Sequence, residues 1–165
     1  MQLGESFVGA GPEAAHVNTI LGDRLGPVGT AWATALATPR EGHAGFVVVA
    51  KPNVPVLPFT LFVNKATIAS PQHGKITWGA AQLGIAAGVL DALEAGSIDH
   101  SQVHGLAIIA AVWVDPDAKD EDLVFENNRR SMSEAIQRGA THEARVEDLL
   151  ALGGDLGNAY YLPKA

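Results

Sequence analysis

Apolar and polar positions change period several times along the chain, and each change marks an expected element. Residues 2–9 and 14–21 alternate with period two on either side of a Gly9-Ala10-Gly11-Pro12 turn, which predicts two strands. Pro27 suits the first turn of a helix, where a missing N–H costs nothing, and 28–38 continue that helix. Residues 45–50 (GFVVVA) are β-branched and apolar, the pattern of a strand covered on both faces. The segment KPNVPVLP, residues 51–58, carries prolines at 52, 55 and 58 and reads as a stiff extended loop. A strand follows over 60–68 (TLFVNKATI). Helical spacing of Ala81, Ile85, Val89 and Leu93 predicts a helix from Thr77 to about Ala95, with Gly96 as its C-cap. Residues 104–114 form another buried strand. Asp115-Pro116-Asp117 opens a helical region through 120–138 that Gly139 ends, and a short helix over 143–152 precedes a polar tail.

The order β-β-α-β-β-α-β-α-α predicts a single α/β (α+β) domain over residues 1–165, a two-layer sandwich with a mixed sheet and helices mainly on one face. Composition narrows the class further. With 165 residues, 47% apolar and 18% charged, the chain is long enough to bury a core. A low charged fraction also suits a surface partly hidden in an oligomer. The net charge of −7 argues against binding nucleic acid. There is no cysteine, which removes disulfides and thiol nucleophiles. The start MQLGESFVGAGPE lacks a basic, apolar leader pattern, and the longest uninterrupted apolar stretch, residues 106–114, is too short to span a bilayer. A cytoplasmic protein that does not engage membranes is the expectation.

Candidate chemistry comes from the alternation itself. Residues two apart on a strand share a face, so His16 lies beside Asn18, and Lys65 and Thr67 share a face with Val63. If the two strands lie near each other, an imidazole, an amide, an ammonium and a hydroxyl line one pocket of an apolar sheet. A lone strand histidine is more often structural, a strand-end lysine often snorkels into water, and threonine suits strands anyway. Gln82 borders the apolar face of its helix and serves either as a solvent-facing boundary residue or as a ligand contact. The acidic group Asp115, Asp117, Asp120 and Glu121 fits the charge bias of a helix start better than a metal site. The other histidines (43, 73, 100, 104 and 142) show no paired metal-ligand spacing, and no phosphate loop or nucleophile elbow is present.

Five stretches in order carry a resemblance: VGAGPEAAHVNTILG, FVVVAKPNVPVLPFTLFVNKATI, WGAAQLGIAAGVLDAL, IIAAVWVDPDA and FENNRRSMSEAIQRG. Together they resemble the formaldehyde-activating enzymes over nearly the whole chain up to about Gly139. The resemblance implies a ribosomal-protein-S5-domain-2-like fold and a homopentamer with pterin sites between neighbours. It implies a lyase that condenses formaldehyde with tetrahydromethanopterin, giving the methylene adduct and water in one-carbon metabolism and formaldehyde detoxification. Tetrahydromethanopterin is then a co-substrate, and no metal is required. The family's acid catalyst corresponds to His16, and its ligand contacts to Asn18, Val47, Lys65, Thr67 and Gln82. Three departures stand out: Asn18 where the family usually has aspartate, Val47 in place of leucine, and Leu83 where histidine often follows the glutamine. Two other readings share the sequence, a pterin- or aldehyde-binding paralogue without turnover and an oligomeric scaffold whose apolar sheet face buries an interface.

Overall fold

The computed structural model describes residues 1–141 and 145–163. Seven strands and five α-helices follow one another: β1 Gln2–Val8, β2 Ala15–Asp23, α1 Pro27–Ala37, β3 Phe46–Val47, β4 Val49–Lys51, β5 Val54–Pro55, β6 Phe59–Asn64, α2 Pro71–Ile76, α3 Gln82–Glu94, β7 Leu106–Trp113, α4 Glu121–Thr141 and α5 Val146–Ala151. The main sheet has the order β1-β2-β7-β6-β3. Its pairs are antiparallel except β6 with β7, which run parallel. The architecture is a mixed five-stranded sheet in a two-layer α+β arrangement, as the alternation predicts.

Each strand divides its residues between two faces. The inner face carries Val17, Phe62, Ile108, Ala110 and Val112, which join Ile85, Val89, Met132 and Ile136 from α3 and α4 in one core. Helix α4 buries Val124, Asn127, Asn128, Ser131, Met132, Ala135 and Ile136, a run of three- and four-residue steps that lays one stripe on the sheet. Helices α3 and α4 lie close because Gly84 and Gly88 present no side chain. A Cβ on Gly84 would stand 2.5 Å from the Phe125 carbonyl oxygen, and one on Gly88 2.5 Å from that of Arg129. Across this seam Arg129 grips Asp91 with two hydrogen bonds, of 2.7 and 2.9 Å. On the outer face α1 covers only one end, where Val28 seats against Gly22 of β2.

Five expectations are corrected. The strand expected over 45–50 divides into β3, at the edge of the main sheet, and β4, in a separate two-stranded ladder. Residues 51–58 are not simply an extended loop, because β4 and β5 pair as a small antiparallel ladder with Asn53 in a left-handed turn conformation, φ 65°. Pro55 can join because a two-stranded ladder leaves each strand an edge on which no N–H is required. The strand expected over 60–68 stops at Asn64, whose side-chain amide donates to the carbonyls of Gly42 and Ala66 and turns the chain out of the sheet. The helix expected from Thr77 begins at Pro71, where the Ser70 hydroxyl caps the His73 N–H. It then passes through a π-helical turn, Thr77–Ala81, into α3. Gly139 does not end α4. It allows the helix to pass β1, with a hypothetical Cβ 3.2 Å from the Leu3 carbonyl. The short helix expected over 143–152 is seen as α5, and positions 143 and 144 lie outside the described residues.

The 24-residue helical run Pro71–Glu94 is long and apolar enough to cross a membrane by length and mean hydropathy. No uninterrupted apolar stretch marks it in the sequence, because Gly, Thr and Gln interrupt the run. About half of it is buried in the core, with Ile76, Ile85, Val89 and Ala92 fully buried, while Trp78, Leu83 and Leu90 are exposed.

Candidate functional site

The register of the sheet builds a polar cluster on the end of the outer face that α1 leaves uncovered. Glu5 pairs with Asn18 and Phe7 with His16 between β1 and β2. Asn18 in turn faces Ala111, and His16 faces Trp113, on β7. Ala111 then pairs with Val63 of β6. Because these partners share a face, Glu5, Phe7, His16 and Asn18 form one patch.

Lys65 joins that patch from two strands away. Its backbone N–H donates to the Val112 carbonyl at 2.8 Å, which carries the β6–β7 pairing one residue past the strand end. From there the side chain crosses the face of β7, where Ala111 stands level with Asn18. Its Nζ donates to the Asn18 Oδ1 and, at 3.2 Å, to the His16 carbonyl. Lysine has no acceptor, so this contact fixes the Asn18 amide with its oxygen toward Lys65. The Nδ2 of Asn18 makes no hydrogen bond among the described residues and remains available as a donor. Burial pulls the Lys65 ammonium down to about 8, and the nearby Glu5 carboxylate works in the opposite direction.

His16 is held on both ring nitrogens. Its Nε2 lies 2.8 Å from Glu5 Oε1, and its Nδ1 lies 3.4 Å from the Tyr160 hydroxyl. The imidazole side chain is 20% exposed, against 53% for Glu5, so the ring is sheltered but reachable. Phe7 and Tyr160 shelter it, their rings meeting edge to face with centroids 5.3 Å apart. The Tyr160 ring lies 5.7 Å from the imidazole. Burial, followed by the Glu5 charge, raises the Tyr160 phenol above its ordinary range and keeps it a neutral donor.

Three of the four groups expected to converge therefore do so: His16, Asn18 and Lys65. Thr67 does not. With the strand ended at Asn64, its hydroxyl donates to His43 Nε2 at 2.8 Å, while His43 Nδ1–H donates to the Asn64 carbonyl at 3.0 Å. Val47 pairs with Leu61 and lies on the same outer face, at the opposite edge of the sheet. Gln82 is buried on the helix side and spends both ends of its amide on Val49, accepting from its N–H and donating to its carbonyl, each at 3.1 Å. Within one chain it locks the β4–β5 hairpin to α3. An open apolar pocket beside it is formed by Ala44, Phe46 and Trp78.

Glu5 and Tyr160 were not singled out from the sequence. The two-residue alternation of β1 places Glu5 beside Phe7, and a hairpin register would have set it opposite Asn18, but the loop between the strands hides that register. Tyr160 lies in a tail with no periodicity, so no sequence pattern brings it to His16. Among the described residues no group of three or more His, Cys, Asp or Glu side chains converges as a metal would need.

Comparison with known proteins identifies the lineage of this chain. The family model for the formaldehyde-activating enzyme (Fae) matches residues 3–159. The chain is 38% identical over 149 residues to a 5,6,7,8-tetrahydromethanopterin hydro-lyase of Methanosarcina barkeri, covering 90% of this chain and 84% of that protein. It is 39% identical over 148 residues to a bifunctional enzyme Fae/Hps of Methanothrix thermoacetophila, covering 90% of this chain and 38% of that longer protein. A bifunctional enzyme Fae/Hps of Methanosphaera stadtmanae is 35% identical over 150 residues, with 37% of its length spanned. A family match over residues 3–159, together with 38% identity across most of both chains, makes this chain a member of the formaldehyde-activating enzyme family.

Proposed function

We propose that this chain condenses formaldehyde with tetrahydromethanopterin to give methylene-tetrahydromethanopterin and water, with His16 as the acid. The observation that carries the reading is the sheltered His16 imidazole, which stands beside a free amide donor on Asn18 and a half-buried Lys65 ammonium in a chain of this family.

The difficult step is the loss of oxygen from the carbinolamine. A pterin N–H nitrogen adds to formaldehyde, and its proton moves to the former carbonyl oxygen. Hydroxide is a poor leaving group, so the C–O bond breaks readily only when a proton arrives as it breaks. The electron pair leaves with oxygen as water, and the nitrogen lone pair forms the C=N bond of an iminium ion. An imidazole can hold and release a proton near neutral pH, and such a positioned acid contributes about 10²–10⁴-fold. The second pterin nitrogen then closes on the iminium carbon and returns its proton to the imidazole. Asn18 Nδ2 and Lys65 orient the pterin, and that positioning removes much of the entropic cost of bringing two molecules together.

Val47, Thr67 and Gln82 belong to the same reading as ligand contacts supplied by a neighbouring subunit of a homopentamer. Their separation from His16 within one chain supports this, as do the exposed Trp78 and Leu83 that flank Gln82, 55% and 46% accessible. A second reading, a binder without turnover, draws on Asn18: a neutral amide stands there, and Lys65 already occupies its oxygen. An absorbance assay of methylene-pterin formation with purified protein, run beside pterin titration, separates the two. An enzyme accelerates the reaction, whereas a binder saturates and leaves the rate at the spontaneous value. Sedimentation analysis reports the assembly size.

A further inference from the structure

We infer that Glu5 is a positioning residue for His16: its carboxylate holds the Nε2–H, so the proton delivered to substrate leaves from Nδ1. The inference rests on the proposed condensation for its kinetic consequence but on geometry alone for the tautomer.

A carboxylate is an acceptor only, so the 2.8 Å contact from Glu5 Oε1 to His16 Nε2 requires a hydrogen on Nε2. In the neutral imidazole the other nitrogen, Nδ1, is then bare. In the imidazolium Nδ1 carries the second hydrogen. Glu5 and His16 are not direct register partners, since Glu5 pairs with Asn18 and Phe7 with His16. The contact is therefore a diagonal one across two neighbouring antiparallel strands, and both ends sit on regular backbone. Such an anchor fixes the ring plane as well as its tautomer, in the way a histidine's second nitrogen is usually set by its partner.

Nδ1 points the other way, to the Tyr160 hydroxyl at 3.4 Å. That contact lies at the long edge of hydrogen bonding, so the departing carbinolamine oxygen can displace the hydroxyl and take its position at Nδ1 during reaction. The proton inventory closes. Nδ1–H passes to the leaving oxygen, and the neutral ring keeps Nε2–H on Glu5. Bare Nδ1 then accepts the proton released when the second pterin nitrogen closes the ring. Without Glu5 the neutral ring divides between two tautomers and can turn about its side-chain bonds, so only a fraction of the molecules present the proton correctly.

The test has two arms. In the first, nitrogen NMR of ¹⁵N-histidine-labelled protein, at a pH where the imidazole is neutral, reads which His16 nitrogen carries hydrogen. The parent is expected in the Nε2–H form, and Glu5→Ala as a mixture. In the second, methylene-pterin formation is followed for the parent, Glu5→Ala, Glu5→Gln and Glu5→Asp. Removing a partner that orients the acid is expected to lower kcat about 10–100-fold with KM for pterin within about twofold, and Glu5→Asp to recover part of the loss. A parent ring in the Nδ1–H form, or Glu5→Ala with a kcat within about threefold of the parent, overturns the assignment. If the parent itself fails to accelerate the condensation, the functional proposal falls and the NMR arm alone decides the role of Glu5.

Discussion

The two faces of β2 are made from the same nine residues and follow different rules. Toward the helices, Val17, Thr19 and Leu21 are closed off from water, and what matters there is volume. Toward the open side, His16 and Asn18 occupy positions that are only partly covered, and what matters is which atom donates and which accepts. Antiparallel register with β1 and β7 makes both outcomes follow from one alternation. The comparison teaches that the open polar face is stabilised from behind: its residues contribute little to the core, yet the core sets their spacing.

Breaking the outer face at its centre is expected to have the largest kinetic effect. His16→Ala should lose about 10²–10⁴-fold in the rate of methylene-pterin formation while keeping its pterin affinity and its melting temperature. An equal rate for the variant and the parent removes the acid role. The mirror experiment on the inner face is Phe62→Ala. Phe62 is wholly buried, so truncating it should cost about 3–5 kcal/mol in urea unfolding and reduce activity only through loss of folded protein.

Lys65 tests the border between the two regimes, because it is a polar group half withdrawn from water. Its folded-state value of about 8 lies below the ordinary 10.5, so between those pH values the unfolded chain carries a proton that the folded chain has lost. Stability should therefore rise as pH goes from about 8 toward 10.5, and Lys65→Met should lack that rise when the two are compared by denaturant unfolding. Asn18→Asp sharpens the same point. A carboxylate against Lys65 should shift the onset of the rise to higher pH, and it should increase the condensation rate if the neutral amide is what restrains this chain. Unchanged onset would mean that Lys65 and Asn18 are not in contact in solution. Tyr160→Phe should matter least, within about threefold in kcat, because a 3.4 Å contact sits at the edge of hydrogen bonding.

Much of this was legible in the residues. The alternation around His16 and Lys65 identified the open face, because period two survives wherever one side of a sheet is buried. Ser70-Pro71 was a readable helix start, a capping hydroxyl followed by proline, but the apolar spacing that begins later drew the boundary to Thr77. The end of β6 was not legible, since Asn64 turns the chain through carbonyls that lie 22 residues upstream, at Gly42, and two downstream, at Ala66. Gln82 had two readings, solvent or ligand, and took neither within the single chain: its partner is the backbone of a hairpin formed from a proline-rich segment. Long-range contacts of this kind leave no periodic trace. Tyr160 is the same problem at the far end of the chain.

The wide turn at Thr77–Ala81 has one more implication, for how sequences of this length can change. A π-helical turn accommodates an added residue inside an α-helix, and each residue advances the helix by about 100°. Deleting one position there would regularise the winding. Because the wide turn absorbs that residue, Gln82 would still face Val49 and the Gly84–Gly88 notch would still face α4, whereas a deletion in the regular turn before it, Pro71–Ile76, would rotate both away by about 100°. The turn is thus a place where this helix can shorten by one residue and still keep both the hairpin latch and the seam with α4.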